Sequence, residues 1–114
     1  MTETVWDLFD LTDRVAIVTG GYGQLGSQMS DALAEAGANV VVAARTYEKC
    51  EAKAAELSAE HNEALAVEVD VTDEASVERM VSETTDQFGG IDVLVNNAYG
   101  AYGYGDPFEE LDVE

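Results

Sequence analysis

The sequence predicts an α/β fold built on a doubly wound parallel sheet with the strand order 3-2-1-4. Two observations carry that expectation. Four short apolar runs alternate with three helical patterns along 114 residues, the rhythm of parallel strands joined by helical crossovers. Between the first run and the first helical pattern, the stretch "VTGGYGQLG" (18–26) holds four glycines in nine residues. Right-handed crossovers then set the strand order.

The first run, "RVAIV" (14–18), reads as a strand, and so do "NVVVAA" (39–44), "ALAVEV" (64–69) and "IDVLV" (91–95). The first, second and fourth are almost continuous in Val, Ile and Leu, as strands covered on both faces require. In the first helical pattern Leu25, Met29, Leu33 and Ala36 share a face, and Gly37 stands where a helix ends in a left-handed residue. The second runs from Thr46 to about Glu60, with Tyr47, Cys50, Ala54 and Leu57 in register. The third repeats Val77, Val81, Thr84 and Phe88, with Thr72 as its N-cap, Asp73 and Glu74 in its positive first turn, and Gly89-Gly90 at its end. After the fourth strand comes a Gly/Tyr-rich loop, "YGAYGYGDP" (99–107). Asp106, Pro107 and Glu109 then announce a further helix.

Composition narrows the function. Twenty-four acids against five Lys and Arg give a net charge of −19 and a pI near 4.1. Such a field repels nucleic-acid backbones and anionic lipid, so neither is an expected partner. The acids are spread along the chain, a pattern that resembles proteins of salt-loving organisms, where about 1 M salt shortens the Debye length to about 3 Å. No apolar run approaches the ~20 residues of a membrane span, and the acidic start lacks a signal-peptide pattern. A soluble cytoplasmic protein is expected. Cys50, the only cysteine, reads as a small buried hydrophobe, and His61, the only histidine, as a solvent-facing residue at a polar helix end.

The glycine cluster has a chemical reading. Gly21-x-Gly23-x-x-Gly26 lies between a strand and a helix, the context in which backbone N–H groups and a helix dipole receive a pyrophosphate. Here the sequence resembles the short-chain dehydrogenase/reductases, whose glycine motif opens with Thr-Gly, as in Thr19-Gly20. The standard branch spaces its glycines T-G-x-x-x-G-x-G, which this chain breaks at Gln24. The extended branch, with its sugar-nucleotide epimerases and dehydratases, uses T-G-x-x-G-x-x-G, which Thr19, Gly20, Gly23 and Gly26 match. The glycines alone do not choose between them.

Other segments resemble the standard branch. "DVTD" (70–73) is similar to the segment whose Asp takes a hydrogen bond from the adenine amino group and whose Val supports the ring. "NNAYG" (96–100) is similar to the N-N-A-G beneath the nicotinamide, with Tyr99 where glycine is usual. "VERMVSETTDQFGGIDVLVNNA" (77–98) and "PFEEL" (107–111) carry the likeness further. The resemblance implies a Rossmann-type sheet truncated after its fourth strand. Residues 1–114 then form the N-terminal dinucleotide-binding part of a single domain. It also implies an NAD(P)-dependent oxidoreductase that moves hydride between the cofactor and a carbonyl or secondary alcohol. The implied cofactor-binding residues are Thr19, Gly20, Tyr22, Gly23, Gln24, Leu25, Gly26, Arg45, Asp70, Val71, Asn97, Ala98 and Gly100.

The second strand ends Ala43-Ala44-Arg45, with no acid before Glu48 to take the ribose hydroxyl of NAD. Arg45 suits the extra phosphate of NADP, so NADP(H) is favoured over NAD(H). The family's catalytic serine, tyrosine and lysine are missing. None of the five tyrosines has a lysine four residues on, and no lysine follows Lys53. No catalytic residue and no metal ligand is therefore expected in this chain. The chemistry requires a complementing C-terminal half, in the same gene product or a second chain; the alternative is a non-catalytic nucleotide-binding module or an inactive remnant. Without a fifth strand, "IDVLV" becomes an exposed apolar edge, an aggregation liability that Tyr99, Tyr102 and Tyr104 could cover in part. A complementing half or a homo-oligomer is the expected protein partner.

Overall fold

The computed structural model describes residues 4–97. Within them, strands β1 (Val15–Thr19), β2 (Asn39–Ala44), β3 (Ala64–Glu68) and β4 (Val93–Asn96) form one sheet in the order β3-β2-β1-β4. All neighbours are parallel, and the register sets Thr19 opposite both Ala43 and Asn96, and Ala44 opposite Glu68. The carboxyl ends of the strands are thus brought level. The loops that follow them gather on one edge of the sheet.

Four helices accompany the strands: α1 (Val5–Leu8), α2 (Gln24–Glu35), α3 (Tyr47–Glu60) and α4 (Glu74–Phe88). The buried runs of β1 and β2 have two covered faces. Ala16, Val18, Val40, Val42 and Ala44 pack with Ala34, Cys50, Ala54 and Leu57 of α2 and α3. Val15, Ile17, Val41 and Ala43 pack on the other face with Val67, Val69 and Met80 of α4. A doubly wound, three-layer arrangement results. Alternate residues of one strand serve opposite layers.

Helix ends follow the chain's own chemistry. Gly37, at φ +106°, closes α2 with its N–H on Ala34 O while Ala38 N–H reaches Leu33 O, the double bond of a Schellman motif. Gly89, at φ +87°, ends α4. The short α1 was not anticipated; Thr4 and Asp7 cap each other there, Asp7 N–H donating to Thr4 Oγ1 and Thr4 N–H to Asp7 Oδ2.

Several expectations about helix faces need correction. Leu25 is 55 % exposed; the buried face of α2 is Gly26, Ser30 and Ala34, small residues that let the helix lie close to the sheet. Tyr47 and Val81 are exposed, and Met80 with Ser76 and Thr84 buries the inner face of α4. The N-cap of α4 is Asp73, which accepts from Ala75 N–H, while Thr72 bonds back to Asp70. His61 is half-buried at the end of α3 rather than solvent-facing. Lys53 is buried on α3 with its ammonium 2.7 Å from Asp31 Oδ1 on α2. β4 is an edge strand among the described residues, with Leu94 60 % exposed while Val93 and Val95 pack on the core. The loop and helix expected over 99–109 lie outside the described residues.

Candidate functional site

A cleft of about 710 Å³ opens where the strand ends converge. One wall is the glycine turn and the start of α2, from Gly20 to Gln28; another is Ala44, Arg45 and Thr46 at the end of β2. Val69, Asp70, Val71 and Thr72 follow β3 and form a third, and Asn97 closes the side after β4.

The glycines divide their work. Gly20 adopts φ +67°, the left-handed turn out of β1, and its N–H bonds Ala43 O at 2.7 Å. Gly26 is packed against that turn: a Cβ there would stand 2.0 Å from Gly20 O and 2.9 Å from Asn97 Nδ2. Gly23 is different. Among the described residues a Cβ there would meet only Gly20 O, at 3.5 Å, so none of them demands glycine at that position.

Gly23 is also the N-cap of α2, with no side-chain cap and no acid in the first turn. The first N–H groups of an α-helix have no intrahelical acceptor, so those of Gln24, Leu25 and Gly26 stay available at the positive end of the helix dipole. The fully buried Ser30 stiffens this turn from behind, its hydroxyl within hydrogen-bond distance of Gly26 O (2.9 Å) and Gly21 O (3.2 Å).

Thr19, buried beneath the turn, accepts the Asn97 N–H at 2.9 Å and lies 3.3 Å from both Val95 O and Asn96 Oδ1. It joins the ends of β1 and β4. On the opposite wall, Asp70 Oδ1 accepts from the Thr72 hydroxyl (2.6 Å) and the Thr72 N–H (3.0 Å). Those two bonds, with a smaller contribution from the Arg45 charge, hold the Asp70 carboxyl below its ordinary value. Because both bonds fall on Oδ1, Oδ2 is left as an acceptor. Ser76 fixes the segment by accepting the Asp70 N–H at 2.8 Å.

Arg45 is exposed and enters no ion pair among the described residues. Beyond it, in the first turn of α3, the Lys49 ammonium lies over the Tyr22 ring, 5.5 Å from its centroid. Of the residues singled out from the sequence, Gly20, Tyr22, Gly23, Gln24, Leu25, Arg45, Asp70, Val71 and Asn97 line the cleft. Thr19 and Gly26 sit behind it as supports. Ala98 and Gly100 lie outside the described residues. Gln28, Ala44, Thr46, Val69 and Thr72 also line it and were not foreseen, nor was Ser30. Thr72 and Ser30 carried a signal: each is a hydroxyl within hydrogen-bonding reach of a residue already singled out. Among the described residues no cluster of His, Cys, Asp and Glu is fit to hold a metal, and no helix is long and apolar enough to cross a membrane.

The sheet order, its two helical layers and a glycine turn at the carboxyl edge define a Rossmann-type α/β protein. The short chain dehydrogenase family matches residues 14–114, and the chain belongs to that family. It is 41 % identical over 91 residues to the uncharacterized oxidoreductase UxuB of Bacillus subtilis, covering 80 % of this chain and 33 % of that protein. A crystal structure of a short-chain type dehydrogenase/reductase from Mycobacterium marinum superimposes with a TM-score of 0.76 at 38 % identity, over 81 % of this chain and 37 % of that one. The NADP active-site complex of RhlG from Pseudomonas aeruginosa gives 0.72 at 38 % identity, over 79 % and 36 %. The chain spans about a third of the length of the curated relatives it matches. Its family is one of oxidoreductases that bind a nicotinamide dinucleotide.

Proposed function

We propose that these 114 residues are the dinucleotide-binding part of an NADP(H)-dependent oxidoreductase acting on a carbonyl or secondary alcohol. The observation that carries this reading is the cleft itself, which joins the start of α2, Arg45 and the Asp70 carboxylate at one sheet edge. The start of α2 has no side-chain cap, and Arg45 enters no ion pair among the described residues. The cradle suits the group: bare Gly23 leaves room beside backbone N–H donors, as a pyrophosphate requires. Gln24, Leu25 and Gly26 would donate to it, Asp70 would accept from an adenine amino group, and Val71 would lie against the ring. Asn97, Ala98 and Gly100 would border the nicotinamide. The bound cofactor supplies the hydride; this chain binds and orients it.

Arg45 decides between the two dinucleotides. It stands where an acid would accept the ribose hydroxyl of NAD, and its guanidinium offers a charge-assisted fork to a 2′-phosphate. A complementing segment or chain carrying the Ser, Tyr and Lys would perform the acid–base chemistry, because no Y-x-x-x-K occurs in these 114 residues. The same cleft also carries a second reading, a nucleotide-binding module.

Calorimetric titration of the full chain in high salt tests the proposal. Micromolar or weaker binding is expected, tighter for NADPH than NADH. Arg45→Ala should reduce NADPH affinity by roughly tenfold or more, in line with about 1.5–3 kcal/mol for a charge-assisted bond, and leave NADH near its starting value. Retention of the NADPH preference by Arg45→Ala would remove the assignment. Mixing with a chain that supplies Y-x-x-x-K separates the two readings: restored carbonyl reduction supports the oxidoreductase.

A further inference from the structure

We infer that Lys49, held against Tyr22, is a second cation for the same ligand phosphate and sets the cleft's selectivity together with Arg45. The inference rests on the NADP(H) reading. The chain has five Lys and Arg against 24 acids, so each cation has abundant partners. Arg14 pairs with Asp92, and Lys53 with Asp31 and Glu56. Among the described residues Arg45, Lys49 and Arg79 enter no ion pair, and two of these three belong to the segment that forms the β2 wall of the cleft and the start of α3.

Lys49 is also placed against the local field. It lies in the first turn of α3, the positive end of the helix, where a cation is disfavoured and an acid is usual. The contact that holds it there is the face of Tyr22, itself a wall of the cleft shared with Arg45 and Thr46. A lysine stem is long and flexible, so the ammonium can leave the ring for an anion in the cleft without any backbone movement.

Charge explains why one arginine is not enough. A ribose phosphate carries close to two negative charges near neutral pH. The chain it approaches carries −19. Arg45 offsets one charge, and Lys49, four residues on and over the ring of the cleft-lining Tyr22, supplies the second. Tyr22 acts as a positioning residue, keeping the ammonium over a ring that lines the cleft rather than on neighbouring Glu48 or Glu51.

The test uses 2′,5′-ADP and 5′-AMP as probes, titrated calorimetrically into the full chain at two salt concentrations. Lys49→Gln should weaken 2′,5′-ADP about fivefold and 5′-AMP less than twofold, and the difference should shrink at higher salt. Tyr22→Phe, which keeps a ring face, should retain the discrimination, whereas Tyr22→Leu should lose part of it. In NMR spectra the Lys49 ε-methylene signals should be displaced by the Tyr22 ring current, and should move on adding 2′,5′-ADP but not 5′-AMP. Equal effects of Lys49→Gln on both probes, or none, overturn the inference while leaving Arg45 in place. A wild-type chain that does not distinguish the probes overturns the NADP(H) reading and this inference with it.

Discussion

Two glycines three residues apart, Gly23 at the N-cap of α2 and Gly26 in its first turn, should respond differently to the same added methyl group. In Gly26→Ala the new Cβ would sit 2.0 Å from Gly20 O and 2.8 Å from its carbonyl carbon, both backbone atoms. Restoring ordinary contact displaces that carbonyl by roughly 1 Å, within a core packed too tightly to absorb such a shift freely. Gly20 O also accepts the Gly23 N–H at 3.1 Å, and Gly20 N–H holds Ala43 O at 2.7 Å, so the turn cannot move without loosening a bond. Overpacking plus one weakened hydrogen bond amounts to about 2–4 kcal/mol, a large share of the ~5–15 kcal/mol that stabilises a domain. In Gly23→Ala the nearest atom is 3.5 Å away and φ is −70°, which alanine adopts without strain. The poorer N-cap and the stiffer unfolded chain oppose each other, leaving a net change within about 1 kcal/mol. Urea unfolding followed by far-UV circular dichroism in high salt reads both variants. Gly26→Ala should lose much of its midpoint while Gly23→Ala keeps it and loses dinucleotide affinity. Equal midpoints for the two variants would refute the reasoning.

Two further outcomes follow from the polar groups around the cleft and core. The Asp70 carboxyl lies below its ordinary value of 3.8, chiefly through the Thr72 hydroxyl. Its stabilising contribution is therefore present above that value and is lost as pH falls through the lower folded one. Thr72→Val should raise the Asp70 pKa in a carboxyl-carbon NMR titration; an unmoved Asp70 would show that the hydroxyl is not the cause. Burial pushes the Cys50 thiol up to about 11, and the side chain is fully enclosed. An aromatic disulfide reagent at pH 8 should label it only as fast as the chain opens, whereas rapid stoichiometric labelling of the native protein would contradict that enclosure.

The strands were legible because burial on two faces leaves a run with no polar break, as in Val40, Val41 and Val42. Helix faces were less legible for a physical reason. Looking for large apolar residues favoured Leu25, but α2 approaches the sheet through Gly26, Ser30 and Ala34, where only small side chains fit. Lys53 was unreadable in isolation, since its burial depends on Asp31 from another helix. Around the cleft, the backbone roles of Gly20 and Gly26 could be anticipated from spacing. The bonds of Ser30 to the turn and of Thr72 to Asp70 required the positions of side chains that spacing does not fix.

The central position of β1 has a consequence for the order in which the molecule assembles. Its pairing with β2 closes a short loop, Val15 meeting Asn39, whereas its pairing with β4 joins Ala16 to Val93 across most of the described chain. Closing the longer loop costs more entropy, and distant pairings form more slowly than near ones. On a ribosome, β1, β2 and β3 can associate as soon as residue 68 has emerged, before β4 has done so. Among the described residues that line the cleft, Asn97, tied to Thr19, therefore arrives last. A ligand gripped only by the finished cleft makes its contacts after the folding barrier has been passed. It prolongs the native lifetime without hastening its formation.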